Sequence, residues 1–147
     1  MPEKSVFHKG CCFMKETIIQ GLHHISLKPA GYAAFQKTVS FYQEVLGLPL
    51  IRAWGEGDSS AVMLSLGNSI LEISAAGTEV PPVGAVNHFA LATADVDAVA
   101  ERIRQAGYEI TVEPGDRQPK ADYPIRIAFC VGPVGESIEL FHEKNRG

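Results

Sequence analysis

Two histidines and two glutamates stand at matching places in a sequence that repeats its own pattern. His24 opens the run His24-Ile25-Ser26-Leu27, and Glu72 lies 48 positions later within Ile70-Leu71-Glu72-Ile73. His88 opens His88-Phe89-Ala90-Leu91, and Glu139 lies 51 positions later within Ser137-Ile138-Glu139-Leu140. The longer second interval fits a longer turn, Gly132-Pro133-Val134-Gly135 against Gly67-Asn68. Two imidazoles and two carboxylates suit a borderline divalent ion such as Zn²⁺ or Ni²⁺, with water completing the sphere. Such an ion polarises a carbonyl or stabilises an enediolate, and a carboxylate beside it can move a proton from carbon. Taken singly, each of the four reads best as a surface residue on a half-exposed strand. Four at equivalent places in a repeat favour a metal or catalytic site.

The elements that must position them also come twice, as strand, helix and three strands. The first strand spans about 19–28, and a helix follows from near Tyr32 to Leu46. Its apolar face is Phe35, Val39, Tyr42 and Leu46, with Gly47 as the stop. Strands follow near Leu48–Trp54, Ala61–Leu66 and Ser69–Ser74. In the second half Asp95 caps a helix with the face Val96, Val99, Ile103 and Ala106, stopped by Gly107. Strands follow near Glu109–Glu113, Ile125–Val131 and Ser137–His142, with a long loop over Gly115–Pro124. Side chains alternate across a strand. Ile25 and Leu27, and Phe89 and Leu91, therefore turn toward the helices, while His24 and His88 turn away. The same parity sends Leu71, Ile73, Ile138 and Leu140 to the helices and leaves Glu72 and Glu139 on the enclosed face. His23 falls on the helix side and reads as a satisfied strand histidine rather than a ligand. His142 and His8 read as solvated.

At 147 residues the chain has the size of one domain. The expected organisation is a disordered tail over 1–16 and a single domain over 17–147. That domain divides into module one (17–76), a linker (77–84) and module two (85–144). A net charge of −4 argues against a nucleic-acid partner. No apolar run is long enough to span a bilayer, and the first residues lack the apolar stretch of a secretory signal. A cytoplasmic location is the expectation. Cys11, Cys12 and Cys130 lack framework spacing, and Cys130 reads as a small buried hydrophobe. The loop residues Arg117, Lys120 and Tyr123 could hold an anionic substrate.

With His24-Ile25-Ser26-Leu27, the run Phe41-Tyr42-Gln43-Glu44-Val45-Leu46-Gly47-Leu48, and Ile138-Glu139-Leu140 near the end, the chain resembles the vicinal-oxygen-chelate superfamily over about 18–144. That group includes glyoxalase I (lactoylglutathione lyase), methylmalonyl-CoA epimerase, extradiol dioxygenases, fosfomycin-modifying enzymes and bleomycin-binding proteins. The resemblance implies an α+β fold of the glyoxalase/bleomycin-resistance/dioxygenase kind, with paired βαβββ modules forming curved mixed sheets around a metal site. The complete His/Glu/His/Glu set is most similar to glyoxalase I, since methylmalonyl-CoA epimerases usually carry glutamine at the place of Glu72. It implies His24, Glu72, His88 and Glu139 as ligands of a divalent ion, Ni²⁺ or Zn²⁺ first and Co²⁺ or Mn²⁺ next. It further implies Glu139 as the base that shuttles a proton between adjacent carbons, with Glu72 as its partner.

The activity so implied is a metal-dependent lyase or isomerase acting on a hemithioacetal or related α-hydroxycarbonyl compound. The alternatives are an epimerase of the methylmalonyl-CoA type and a non-catalytic small-molecule-binding protein on the same fold. Related single-pair glyoxalases form homodimers, which here would join His24 and Glu72 of one chain with His88 and Glu139 of the other. Glutathione-dependent glyoxalases usually carry arginine where Lys28 stands, and asparagine shortly after the place of Glu72, where Ser74, Ala75 and Ala76 follow. Lysine supplies charge without a planar fork. Lys28, Arg117 and Lys120 are the candidate substrate-binding residues, and the thiol stays open.

Overall fold

In each half of the chain the first strand returns to lie beside the last. The structure is a computed structural model that describes residues 22–79, 86, 88–119 and 121–145. Module one comprises β1 (His24–Leu27), α1 (Gly31–Ser40), β2 (Leu50–Trp54), β3 (Ala61–Ser65) and β4 (Ile70–Ser74). Module two comprises β5 (Phe89–Ala92), α2 (Val96–Gln105), β6 (Ile110–Arg117), β7 (Ile125–Val131) and β8 (Ser137–Glu143). Each forms a four-stranded mixed sheet, ordered β1-β4-β3-β2 and β5-β8-β7-β6. The pairs β1–β4 and β5–β8 are parallel and the others antiparallel. The predicted paired βαβββ architecture is the one observed. The tail with His8, Cys11 and Cys12, the start of the predicted first strand, most of the linker and Lys120 lie outside the described residues.

The helices cover one face of each sheet, and alternation decides which. Leu64, Leu71, Ile73, Ile138 and Leu140 are buried and share one core with Phe35, Phe41, Tyr42, Val96, Ala100 and Ile103. Each leucine, isoleucine, valine or phenylalanine among them, fully buried, is worth roughly 1.5–3 kcal/mol relative to exposure. In α2 the cap works as predicted, with Ala98 N donating to Asp95 Oδ1 at 2.9 Å. Ala106, read as part of its face, is instead exposed at the C-cap. The lead-in to α1 has no such residue: Ala30 is the N-cap and offers no side-chain acceptor. Asp58, from a short 3₁₀ turn before β3, supplies it across space by accepting from Tyr32 N at 2.9 Å.

The first helix departs from its expected phase. Regular α-helix stops at Ser40, and Phe41–Val45 forms a π turn in which Leu46 N donates to Phe41 O at 3.1 Å. The wider turn inserts an offset, so the buried side chains are Phe35, Thr38, Phe41 and Tyr42 rather than one regular stripe. The offset drives both aromatic rings into the junction between modules. Phe41 packs against Tyr108 with centroids 4.5 Å apart, and Tyr42 OH donates to Glu136 Oε1 at 2.5 Å. Glu136 Oε2 also accepts from Val134 N at 2.8 Å.

Other expectations need correcting. β6 runs on to Arg117 through what reads as loop, because shifts in register between Ile110 and Gly115 absorb Pro114. His23 is exposed just before β1, its Nδ1 2.9 Å from Nδ1 of His24, so it does not pack on the helix side. His142 is half-buried opposite Arg126 rather than solvated. Cys130 is fully buried as expected, and burial pushes its thiol up to about 11. Among the described residues no helix is long and apolar enough to cross a membrane.

Two outcomes follow for stability. Asp58→Ala removes the borrowed cap of α1 and should lower stability by about 1 kcal/mol in urea unfolding, in line with other cap losses. Burial raises Glu136 above its ordinary 4.5, so its proton is held more tightly folded than unfolded. That contribution is full below 4.5 and is lost as pH rises through the folded value. Asp97 and Asp116, held low by hydrogen bonds from Arg126 and Lys144, act oppositely, losing their contribution as pH falls below 3.8. Stability measured from pH 7 to 4.5 should therefore rise for the wild type relative to Glu136→Gln, whereas parallel curves would refute the assignment.

Candidate metal centre

His24 begins β1, and its partner across the parallel ladder is Ile70. Two residues on, Ser26 stands opposite Glu72, so the imidazole and the carboxylate are diagonal neighbours on one face. Ser26 Oγ donates to Glu72 Oε1 at 3.1 Å. Glu72 is half-buried between the fully buried Leu71 and Ile73, which places its carboxylate on the face away from the helices.

Module two repeats the arrangement with a closer contact. His88 immediately precedes β5, and Ala90 stands opposite Glu139. His88 Nε2 lies 3.2 Å from Glu139 Oε2. The His88 and Phe129 rings meet in a T-shaped arrangement, with centroids 5.2 Å apart. Glu139 is only 9% exposed. A carboxylate held that far from water demands a cation or a donor, and the adjacent imidazole is one source.

The chain thus presents two His/Glu pairs rather than one cluster of four. Among the described residues no three His, Cys, Asp or Glu side chains come together in a group able to hold a metal ion. The donor chemistry fits a borderline divalent ion, since each module turns one imidazole and one carboxylate to its open face. A cavity of about 490 Å³ opens between the modules, lined by Ile25, Leu48, Leu66, Phe89, Leu91 and Val99. It contains none of the four residues, being an opening on the apolar side.

The candidate substrate-binding residues are spread out. Lys28 is exposed just after β1. Arg117 ends β6 opposite Ile125, and its Nη1 donates to the carbonyl of Asp116 at 2.9 Å. Tyr123 OH lies 3.3 Å from Glu143 Oε1. The strand register also adds residues that the sequence reading missed. Met63 stands opposite Glu72 and Arg52 opposite Met63, so Ser26, Glu72, Met63 and Arg52 form one row across module one. The corresponding row in module two is Ala90, Glu139, Phe129 and Val112. Simple alternation in β3 and β7 could have found Met63 and Phe129. Arg52 depends on an irregularity in β2 that carries no plain sequence signal.

Comparison with known proteins agrees with this fold. A lactoylglutathione lyase of Salmonella typhimurium is 31% identical over 120 residues, covering 76% of this chain and 87% of that protein. A glyoxalase family protein from Enterococcus faecalis superposes with a TM-score of 0.62 at 24% identity, over 86% of this chain and 100% of that one. An antibiotic-binding protein from Streptomyces sp. CB03234 gives a TM-score of 0.66 at 22% identity, over 88% and 100%. These two likenesses concern the fold. The sequence pattern of the Glyoxalase/Bleomycin resistance protein/Dioxygenase superfamily matches residues 21–140, and the chain belongs to that superfamily.

Proposed function

We propose that the protein is a metal-dependent lyase or isomerase of the glyoxalase I type, moving a proton between adjacent carbons of a hemithioacetal or related α-hydroxycarbonyl compound. The observation that carries this reading is the matched pair of His/Glu sets, one on the open face of each module. The 31% identity to a lactoylglutathione lyase supports it.

His24, Glu72, His88 and Glu139 would hold the ion, with Ni²⁺ or Zn²⁺ best suited to the donors. When bound, the ion would supply Lewis-acid polarisation of neighbouring substrate oxygens. Glu139 is the base in this reading. Its near-burial keeps competing water away, and its contact with His88 orients the carboxylate at 3.2 Å. Glu72, which accepts a hydrogen bond from Ser26 Oγ at 3.1 Å, would receive the proton on the other side of the substrate. Carboxylates in such roles contribute about 10²–10⁴ in rate.

The four ligands meet when module one of one chain faces module two of a second copy. That arrangement is consistent with the separation of the pairs within one chain. The exposed Leu50 and Ile51 of β2 are large apolar side chains that a second copy would cover.

The test is metal content by elemental mass spectrometry on full chain reloaded with Ni²⁺ or Zn²⁺, followed by solvent-deuterium incorporation with methylglyoxal and several thiols. Near-stoichiometric metal, lost in His88→Ala, is expected. Glu139→Gln should slow exchange by about a hundredfold or more. Absence of any retained ion would sink the reading and favour a small-molecule-binding protein.

A further inference from the structure

The two modules carry the same row of side chains beside the glutamate, with one difference in charge. In module two the row beyond Glu139 is Phe129 and Val112, both apolar. In module one the row beyond Glu72 is Met63 and then Arg52. A guanidinium stands where the repeat places an isopropyl group.

The position of Arg52 results from a bulge. Leu50 pairs with Leu64, yet Arg52 pairs with the next residue back, Met63, so Ile51 is extra on β2. Without it, a regular ladder would set Arg52 opposite Val62, which is buried on the core side. The added residue reverses the phase of the strand. Ala53 then takes the place opposite Val62, and Trp54 stands opposite Ala61, in the row next to that of Glu72. Both large polar-tipped side chains are delivered to the open face by one irregularity. Adjacent strands are spaced by about 4.8 Å, so the Arg52 backbone is roughly 10 Å from that of Glu72.

Arg52 also lacks the partners that other cations on this chain have. Arg104 is paired with Glu101 and Glu113, Arg126 with Asp97 and Asp116, and Lys144 with Asp116. Among the described residues the Arg52 side chain makes no ion pair or hydrogen bond. Its neighbour Trp54 is 44% exposed. An arginine fork matches a carboxylate bidentately, and an exposed indole offers an apolar wall beside it.

We propose that Arg52 and Trp54 form a subsite for a carboxylate-bearing arm of the bound molecule, on the module-one side of the candidate metal centre. This rests on the proposed function for what lies at the other end of that arm. The subsite gives the pseudo-symmetric site a direction: the charged end of the ligand lies toward module one, and the apolar end toward Phe129 of module two.

Trp54 is the chain's one tryptophan, so its fluorescence reports on this face without a label. Full chain free of metal is titrated with 3-phenylpropionate and with its neutral amide, and the titration is repeated in Arg52→Gln. A saturable response to the acid, at least tenfold weaker with the amide and lost in Arg52→Gln, is expected. Equal responses to acid and amide, no response to the acid, or a response that survives Arg52→Gln, would overturn the subsite. Zn²⁺-loaded protein is then titrated calorimetrically with succinic monohydroxamic acid and with butyrohydroxamic acid, which match in length. The acid should bind at least tenfold more tightly, and Arg52→Gln should bring the ratio to about one. If 3-phenylpropionate binds as expected and neither hydroxamate binds, the metal-centre reading fails and the subsite stands. If both hydroxamates bind equally, the subsite does not serve that centre.

Discussion

In each module the first strand lies parallel to the last, with Ser26 opposite Glu72 and Ala90 opposite Glu139. A parallel neighbour needs a crossover connection, and the chain between these strands supplies a helix and two further strands. The helix must bury its apolar stripe on one face of the sheet it leaves. Strand alternation then removes every second residue of β1, β4, β5 and β8 from that face. His24, Glu72 and Glu139 occupy residues so removed, and His88, just before β5, reaches Glu139 at 3.2 Å. The buried Leu71, Ile73, Ile138 and Leu140 on the other parity hold the register, because a slip of one residue would drive both glutamates into the core. Stability and site geometry are thus set by the same alternation.

The junction between modules is made on the helix side. Tyr42, turned inward by the π turn, reaches Glu136 in the β7–β8 turn of the other module. Burial raises the pKa of both groups; their shared hydrogen bond raises Tyr42 further and only partly offsets the burial at Glu136. Removing one partner would leave the other buried with less compensation. Arg102 adds a bond to the carbonyl of Glu44 at 2.8 Å. The modules are thus joined on the side that their helices cover. The two His/Glu pairs consequently do not converge within one copy.

Much of the fold was legible because the repeat, the strand alternation and the Asp95 cap are local signals. Strand parity sets Glu72 and Glu139 opposite the core, a facing readable from the sizes of their neighbours alone. What was hidden depends on contacts remote in sequence or on irregular backbone. The cap of α1 comes from Asp58, far along the chain. The π turn at Phe41–Val45 breaks the helical period without a proline or glycine to announce it. The bulge at Ile51 reverses the facing of Arg52 and Trp54, and similar irregularities extend β6 through Pro114. His23 escapes the parity rule because it precedes the strand, where alternation alone does not fix facing.

The central claim is that each metal centre combines His24 and Glu72 of one chain with His88 and Glu139 of a second. The most direct test mixes two full-length variants, each unable to bind metal alone: His24→Ala/Glu72→Gln and His88→Ala/Glu139→Gln. After co-refolding, a dimer containing one of each restores one intact set from the two unaltered halves. The account predicts that metal binding and proton exchange reappear in the mixture, while each variant alone stays inactive. A mixture that forms mixed dimers yet binds no metal would contradict it and place the ligands within a single chain or elsewhere.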